Sequence, residues 1–115
     1  MDIEKINDKL RRFAKERNWE RYHTPKNLST ALSVEASGLV EIFQWLTDEE
    51  SKAIKCDDVK LEMVKDELAD IATYLIRIAD VMNIDLENAI WSKLNKTAQK
   101  YKPGDNTPRS KHDMR

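Results

Sequence analysis

Ile3, Ile6, Leu10 and Phe13 recur at spacings of three and four residues, the period of one helix face. The pattern predicts a first helix that ends near Arg17. Asn18 to His23, NWERYH, then form a polar-aromatic break. Thr24-Pro25 offers a new start, with threonine as cap and proline in the first turn. The second predicted helix carries Leu28, Ala31, Leu32, Leu39, Ile42, Phe43 and Leu46, and Thr47 to about Asp57 reads as a charged connection. A third helix, capped by Asp57 or Asp58, is the most regular: Leu61, Val64, Leu68, Ile71, Leu75, Ile78 and Met82 alternate in steps of three and four over three heptads. Asn83 and Ile84 break it. Asp85 caps a fourth helix with Leu86, Ile90 and Leu94 inward, ending near Tyr101, and residues 102–115 have no apolar period and read as a flexible tail.

The chain is 115 residues long, enough for a single domain over 1–101. Two glycines and three prolines are too little punctuation for turn-rich β architecture. The fold class is therefore all-α, an antiparallel bundle of four main helices. With 36% charged and 40% hydrophobic residues, the apolar faces exceed what one thin bundle buries, so self-association is expected. A net charge of −1 calls for no nucleic-acid partner. A single cysteine, Cys56, suits a reducing cytoplasm. The opening MDIEKINDKL has no signal-peptide core, and no apolar run approaches the ~20 residues of a membrane helix.

At 100° per residue, the apolar arc of the third helix centres near Ile71 and Leu75. Glu67 and Asp70 lie one turn apart at its edge, with Tyr74 on the same edge. On the second helix Glu35 falls inside the apolar arc between Leu32, Leu39 and Ile42. Glu41 lies further round, with Trp45 a turn below. A carboxylate in an apolar face has to be neutralised, paired with Arg or Lys, or given a cation. Glu-x-x-Asp is also common on solvated faces, so the pattern alone leaves these readings open. If the three acids converge, they make an oxygen cage of the kind hard cations such as Mg²⁺ take, and helix bundles build metal sites this way.

The run RFAKERNWERYHTPKNLSTALSVEASGLVEIFQW, followed by DELADIATYL and SKLNKTAQKY, resembles the MazG-like nucleotide pyrophosphohydrolases, in particular the branch acting on dCTP. The likeness spans roughly residues 3–101. It implies an oligomeric all-α NTP pyrophosphatase-like fold, a tetramer with pockets formed between subunits, where the apolar faces alone allow a homodimer or homotetramer. It also implies a Mg²⁺-dependent enzyme, with Mn²⁺ a substitute, that splits a nucleoside triphosphate between its α- and β-phosphates into monophosphate and pyrophosphate. Such an activity removes dCTP-like or modified pyrimidine nucleotides from the pool. The family pattern pairs Glu-x-x-Glu on one helix with Glu-x-x-Asp on the next. Glu35, Glu67 and Asp70 match three of these metal-binding acids, and Gly38 stands where the second acid belongs.

Glu35 or Glu41 would then accept a proton from the attacking water. The resemblance further implies substrate contacts from Trp19, His23, Lys26, Trp45, Tyr74, Lys93, Lys100 and Tyr101. Flat rings bury a base face at low entropic cost, and lysine is a point-charge partner for phosphate. Thr97 replaces an asparagine usual in the family. A helix-interior glycine costs ~1 kcal/mol against alanine, and here it also removes a ligand. That leaves a second reading, a weakened paralogue serving as a nucleotide-binding or helical interaction module. Size-exclusion chromatography with light scattering should find a dimer or tetramer; a monomer at micromolar concentration would count against the packing argument.

Overall fold

The computed structural model describes residues 1–104, and every regular element among them is helical. The elements are α1 (Ile3–Glu16), a 3-10 turn (Glu20–Tyr22), α2 (Pro25–Phe43), α3 (Asp48–Ala53), a second 3-10 turn (Ile54–Cys56), α4 (Asp58–Val81) and α5 (Leu86–Lys100). Met1–Asn83 make one compact unit, and the chain from Ile84 makes another. The predicted tail lies outside the described residues from Asp105 onward.

Local chemistry sets the boundaries. Each long helix starts on a side chain that accepts an otherwise unpaired N–H of the first turn: Asp2 from Lys5, Thr24 from Asn27, Asp57 from Lys60 and Asp85 from Asn88. The two predicted breaks share one device. Asn18 after α1 and Asn83 after α4 both have φ near 55°. That left-handed conformation stops a helix, and asparagine tolerates it better than other non-glycine residues.

The stretch read as a charged connection contains a helix of its own. Thr47 and Glu50 form a reciprocal capping box, with N–H···O distances of 3.1 Å to Thr47 Oγ1 and 2.9 Å to Glu50 Oε1. This starts α3, and the turn that follows delivers Ile54 to the core, where it is 5% exposed. α2 accordingly ends at Phe43 rather than running on to Leu46.

α4 is the central rod, packing against both α2 and α1. Along α2 from Glu35 to Ile42 its neighbours run backwards along α4, from Asp70 to Met63, so the two helices are antiparallel. Leu28, Ile76, Ala79 and Ala14 are the buried apolar residues of this packing. The burial on α4 departs from the predicted arc. Leu75 is 40% and Leu68 51% exposed, while Ile76, Arg77 and Ala79 are buried. With α1 and α2 both packed on α4, burial falls away from the arc centre and leaves the heptad stripe Leu68–Leu75–Met82 open.

A buried guanidinium completes the α1–α4 contact. Arg77, 7% exposed, donates from Nη1 to Asp80 Oδ2 at 2.8 Å. Arg11 on α1 reaches the same carboxylate with two nitrogens, Nε at 2.9 Å from Oδ2. The Arg11 guanidinium, first of all, holds the Asp80 carboxyl below the usual range, with help from Asn7 and the charge of Arg77 against the cost of desolvation. An acid depressed in the folded state contributes stability that is full above its unfolded value of about 3.9 and disappears as pH falls through the folded one. Urea denaturation at stepped pH should therefore show a loss below about pH 4 that is missing from Asp80→Asn, a variant already less stable at neutral pH.

Candidate functional site

α2 and α4 bring three carboxylates together. One oxygen each from Glu35, Glu67 and Asp70 lies within 4.8 Å of the other two. Glu67 and Asp70 sit one turn apart on α4, and Glu35 meets them from α2 because the helices pass close together. Gly38, one turn beyond Glu35, makes room for this. A Cβ on Gly38 would stand 2.8 Å from Glu67 Oε1 and 2.9 Å from Oε2, so the Glu67 carboxylate rests against the backbone of α2 in space that any other side chain would occupy.

No described Lys or Arg forms an ion pair with these acids. Glu67 Oε2 is buried with no hydrogen-bond partner. The electrostatics follow. Glu35 is pushed above its ordinary range, first because a hydrogen bond with Glu67 requires a proton on one of the two, then by burial and by the charge of Glu67; a contact with Asp70 pulls it back. Asp70 is also pushed up, by desolvation first and then by the charges of Glu35 and Asp66. A donorless buried oxygen and three converging hard oxygen ligands fit a divalent cation.

Two cavities flank this cluster. One of about 280 Å³ is lined by Leu10, Phe13, Ala14, Trp19, His23, Asp70, Thr73, Tyr74 and Arg77. It joins Asp70 to three of the aromatic residues singled out in the sequence. Trp19 is placed by the left-handed turn at Asn18 and meets Phe13 edge-on, with ring centroids 5.6 Å apart. Asn27 holds the turn by donating from Nδ2 to the Tyr22 carbonyl at 3.0 Å. His23 accepts at Nδ1 from Arg77 Nε at 3.4 Å. Burial, and then the positive charge of Arg77, lower the His23 pKa against the opposing pull of Glu20. Tyr74 stands one turn beyond Asp70.

The second cavity, about 410 Å³, is lined by Gly38, Glu41, Ile42, Met63, Asp66 and Glu67. Glu41 therefore lies near Glu67 but outside the three-acid group. A larger groove of about 480 Å³ runs along α1 between Ile6, Leu10 and charged side chains, away from the acids. Trp45 is 86% exposed beyond the end of α2, and Lys26 is exposed in its first turn; neither lines any of these three cavities. Lys93 and Lys100 belong to α5 and Tyr101 is its C-terminal cap, with the Lys100 ammonium 5.4 Å from the Tyr101 ring centroid. Arg77 and Asp66 are absent from the sequence reading. The signal for Arg77 was its place in YLIRIAD, a charge inside an apolar run, three residues after Tyr74 and seven after Asp70.

A family model described as MazG-like matches residues 30–112. The dCTP pyrophosphatase 1 proteins of Rattus norvegicus and Homo sapiens are each 37% identical over 89 residues, 77% of this chain and 52% of theirs. The chain thus spans about half the length of these curated relatives. A crystal structure of a pyrophosphatase from Archaeoglobus fulgidus DSM 4304 superposes with a TM-score of 0.79 at 38% identity, covering 89% of this chain and 94% of that one.

A carboxylate raised in the folded state costs stability above its folded pKa, and the cost is relieved as pH falls. A cation relieves it at neutral pH instead. Adding Mg²⁺ or Mn²⁺ to metal-free protein at pH 7 should raise Tm, by the equivalent of ~2.7 kcal/mol at a hundredfold excess over Kd. The gain should shrink as pH falls and vanish in Glu67→Gln, as read by differential scanning calorimetry.

Proposed function

The chain belongs to the MazG-like family, and we propose that it is a metal-dependent nucleoside triphosphate pyrophosphohydrolase acting on dCTP-like or modified pyrimidine nucleotides. The observation that carries this reading is that Asp70 belongs both to the three-acid group and to the wall of the aromatic cavity. A base held between Trp19, His23 and Tyr74 would project its phosphates toward Glu35 and Glu67.

In this reading Glu35, Glu67 and Asp70 hold the ion. A Mg²⁺ ion held there, or Mn²⁺ in its place, would supply charge neutralisation to the triphosphate and make the attacking water more acidic. The chain's own contribution is placement and proton handling. Water adds to phosphorus, the bond between the α- and β-phosphates breaks, and a carboxylate takes the water's proton. Glu35 would take that role through a carboxylate oxygen the metal does not use; Glu41, across from Glu67 in the other cavity, is the substitute. Trp19 and Tyr74 offer faces for stacking. Lys26, Trp45, Lys93, Lys100 and Tyr101 are assigned to the substrate by resemblance.

Self-association is part of the proposal, as a homodimer or homotetramer. Leu68, Leu75 and Met82, spaced by seven and all at least 40% exposed, support it. No helix among the described residues is long and apolar enough to cross a membrane. The exposed free thiol of Cys56 suits a reducing, cytoplasmic setting, and nothing in the charge balance calls for a nucleic-acid partner.

Gly38 favours one competing reading, a nucleotide-binding or helical interaction module with little turnover. A glutamate there meets the Glu67 carboxylate and requires it to swing aside. The deciding measurement is pyrophosphate release from dCTP and a panel of normal and modified triphosphates with Mg²⁺. Robust release, reduced ~10²–10⁴-fold in Glu35→Gln, supports the enzyme; undiminished release from Glu67→Ala in excess Mg²⁺ rejects this site. Near-zero release that rises strongly in Gly38→Glu supports the module.

A further inference from the structure

Arg77 is a buried cation in a helix of apolar neighbours, and its hydrogen bonds serve to aim it. Its Nη1 donates to Asp80 Oδ2 at 2.8 Å, and Asp80 is held in turn by Arg11 from α1. With that end fixed, Nε points at His23 Nδ1, 3.4 Å away across 54 residues of sequence. A guanidinium has donors only. The ring nitrogen that faces it must therefore present a lone pair, and a neutral imidazole with a lone pair on Nδ1 carries its proton on Nε2.

We propose that Arg77 is a positioning residue that fixes His23 as the neutral Nε2–H tautomer, so that the cavity beside Asp70 meets its occupant with a ring N–H donor. Without such a partner, imidazole exchanges between tautomers and offers donor and acceptor alternately. With Nδ1 committed to Arg77, the second nitrogen is a donor in every molecule. An imidazolium is disfavoured because it would turn an N–H toward the guanidinium and set two positive charges together. The lowered His23 pKa agrees with that geometry.

A donor at this point selects an acceptor. On the nucleotide reading above, which this inference extends, the acceptor is a carbonyl oxygen or unprotonated ring nitrogen on the edge of a pyrimidine, both of which cytosine presents. The exocyclic amino group of cytosine is a donor and would have to face elsewhere. The network therefore orients the base as well as binding it.

The test is long-range ¹H–¹⁵N correlation on the full ¹⁵N-labelled chain, in a His112→Gln background so that one imidazole is observed. At neutral pH His23 should show a pyrrole-type Nε2 and a pyridine-type Nδ1. An Nδ1–H pattern, or the averaged pattern of exchanging tautomers, overturns the proposal. Arg77→Met, if folded by circular dichroism, should lose the pure pattern; retention of it overturns the role of Arg77. If that variant does not fold, the spectrum of the natural Arg77 chain decides. Added dCMP should shift the Nε2–H proton downfield without metal, and dCMP binding that moves other signals but not this one removes the donor role. The tautomer result is independent of turnover, so its failure is distinct from a failure to release pyrophosphate.

Discussion

The constraint on which the site depends is electrostatic. Two antiparallel helices pass so close that three carboxylates share a few ångströms, and no described cationic side chain pairs with them. Such an arrangement costs free energy unless a counter-charge offsets it. It survives because the rest of the unit is tied down elsewhere. Leu28 and Ile76 are buried in its core, Thr47–Glu50 starts the return toward α4, and Asp80 clamps α1 to α4 through Arg11 and Arg77. The strain sits where a divalent cation would remove it.

Much of this was legible in the chain. Four long helices, three of their caps and both asparagine breaks follow from period and capping chemistry, because these are local properties of contiguous residues. Glu35 stood out as a carboxylate in an apolar arc, and the structure places it with Glu67 and Asp70. Trp19, His23 and Tyr74 could be grouped only through family resemblance, since their meeting depends on how the break after Asn18 folds back over α1 and α4.

The misses share a cause. α3 has no apolar period, being six residues with a charged first turn; its only signal was the T-x-x-E box. The burial on α4 was misjudged because a single helical arc assumes one neighbour, and α4 has two. Arg77 was passed over because a lone charge in an apolar run gains meaning only when Asp80 and His23 arrive from three and 54 residues away. Lys26 in the first turn of α2 and Trp45 beyond its end are assigned to the substrate by resemblance alone.

Gly38 and Glu67 occupy what is, sterically, a single volume. The carboxylate of one fills the space that the side chain of the other gives up. Glu67 leans across from α4, and the room its carboxylate takes is the room that Gly38 leaves open on α2. A larger residue at position 38 would displace that carboxylate rather than the helix backbone, so the residue on α2 decides where the acid on α4 lies.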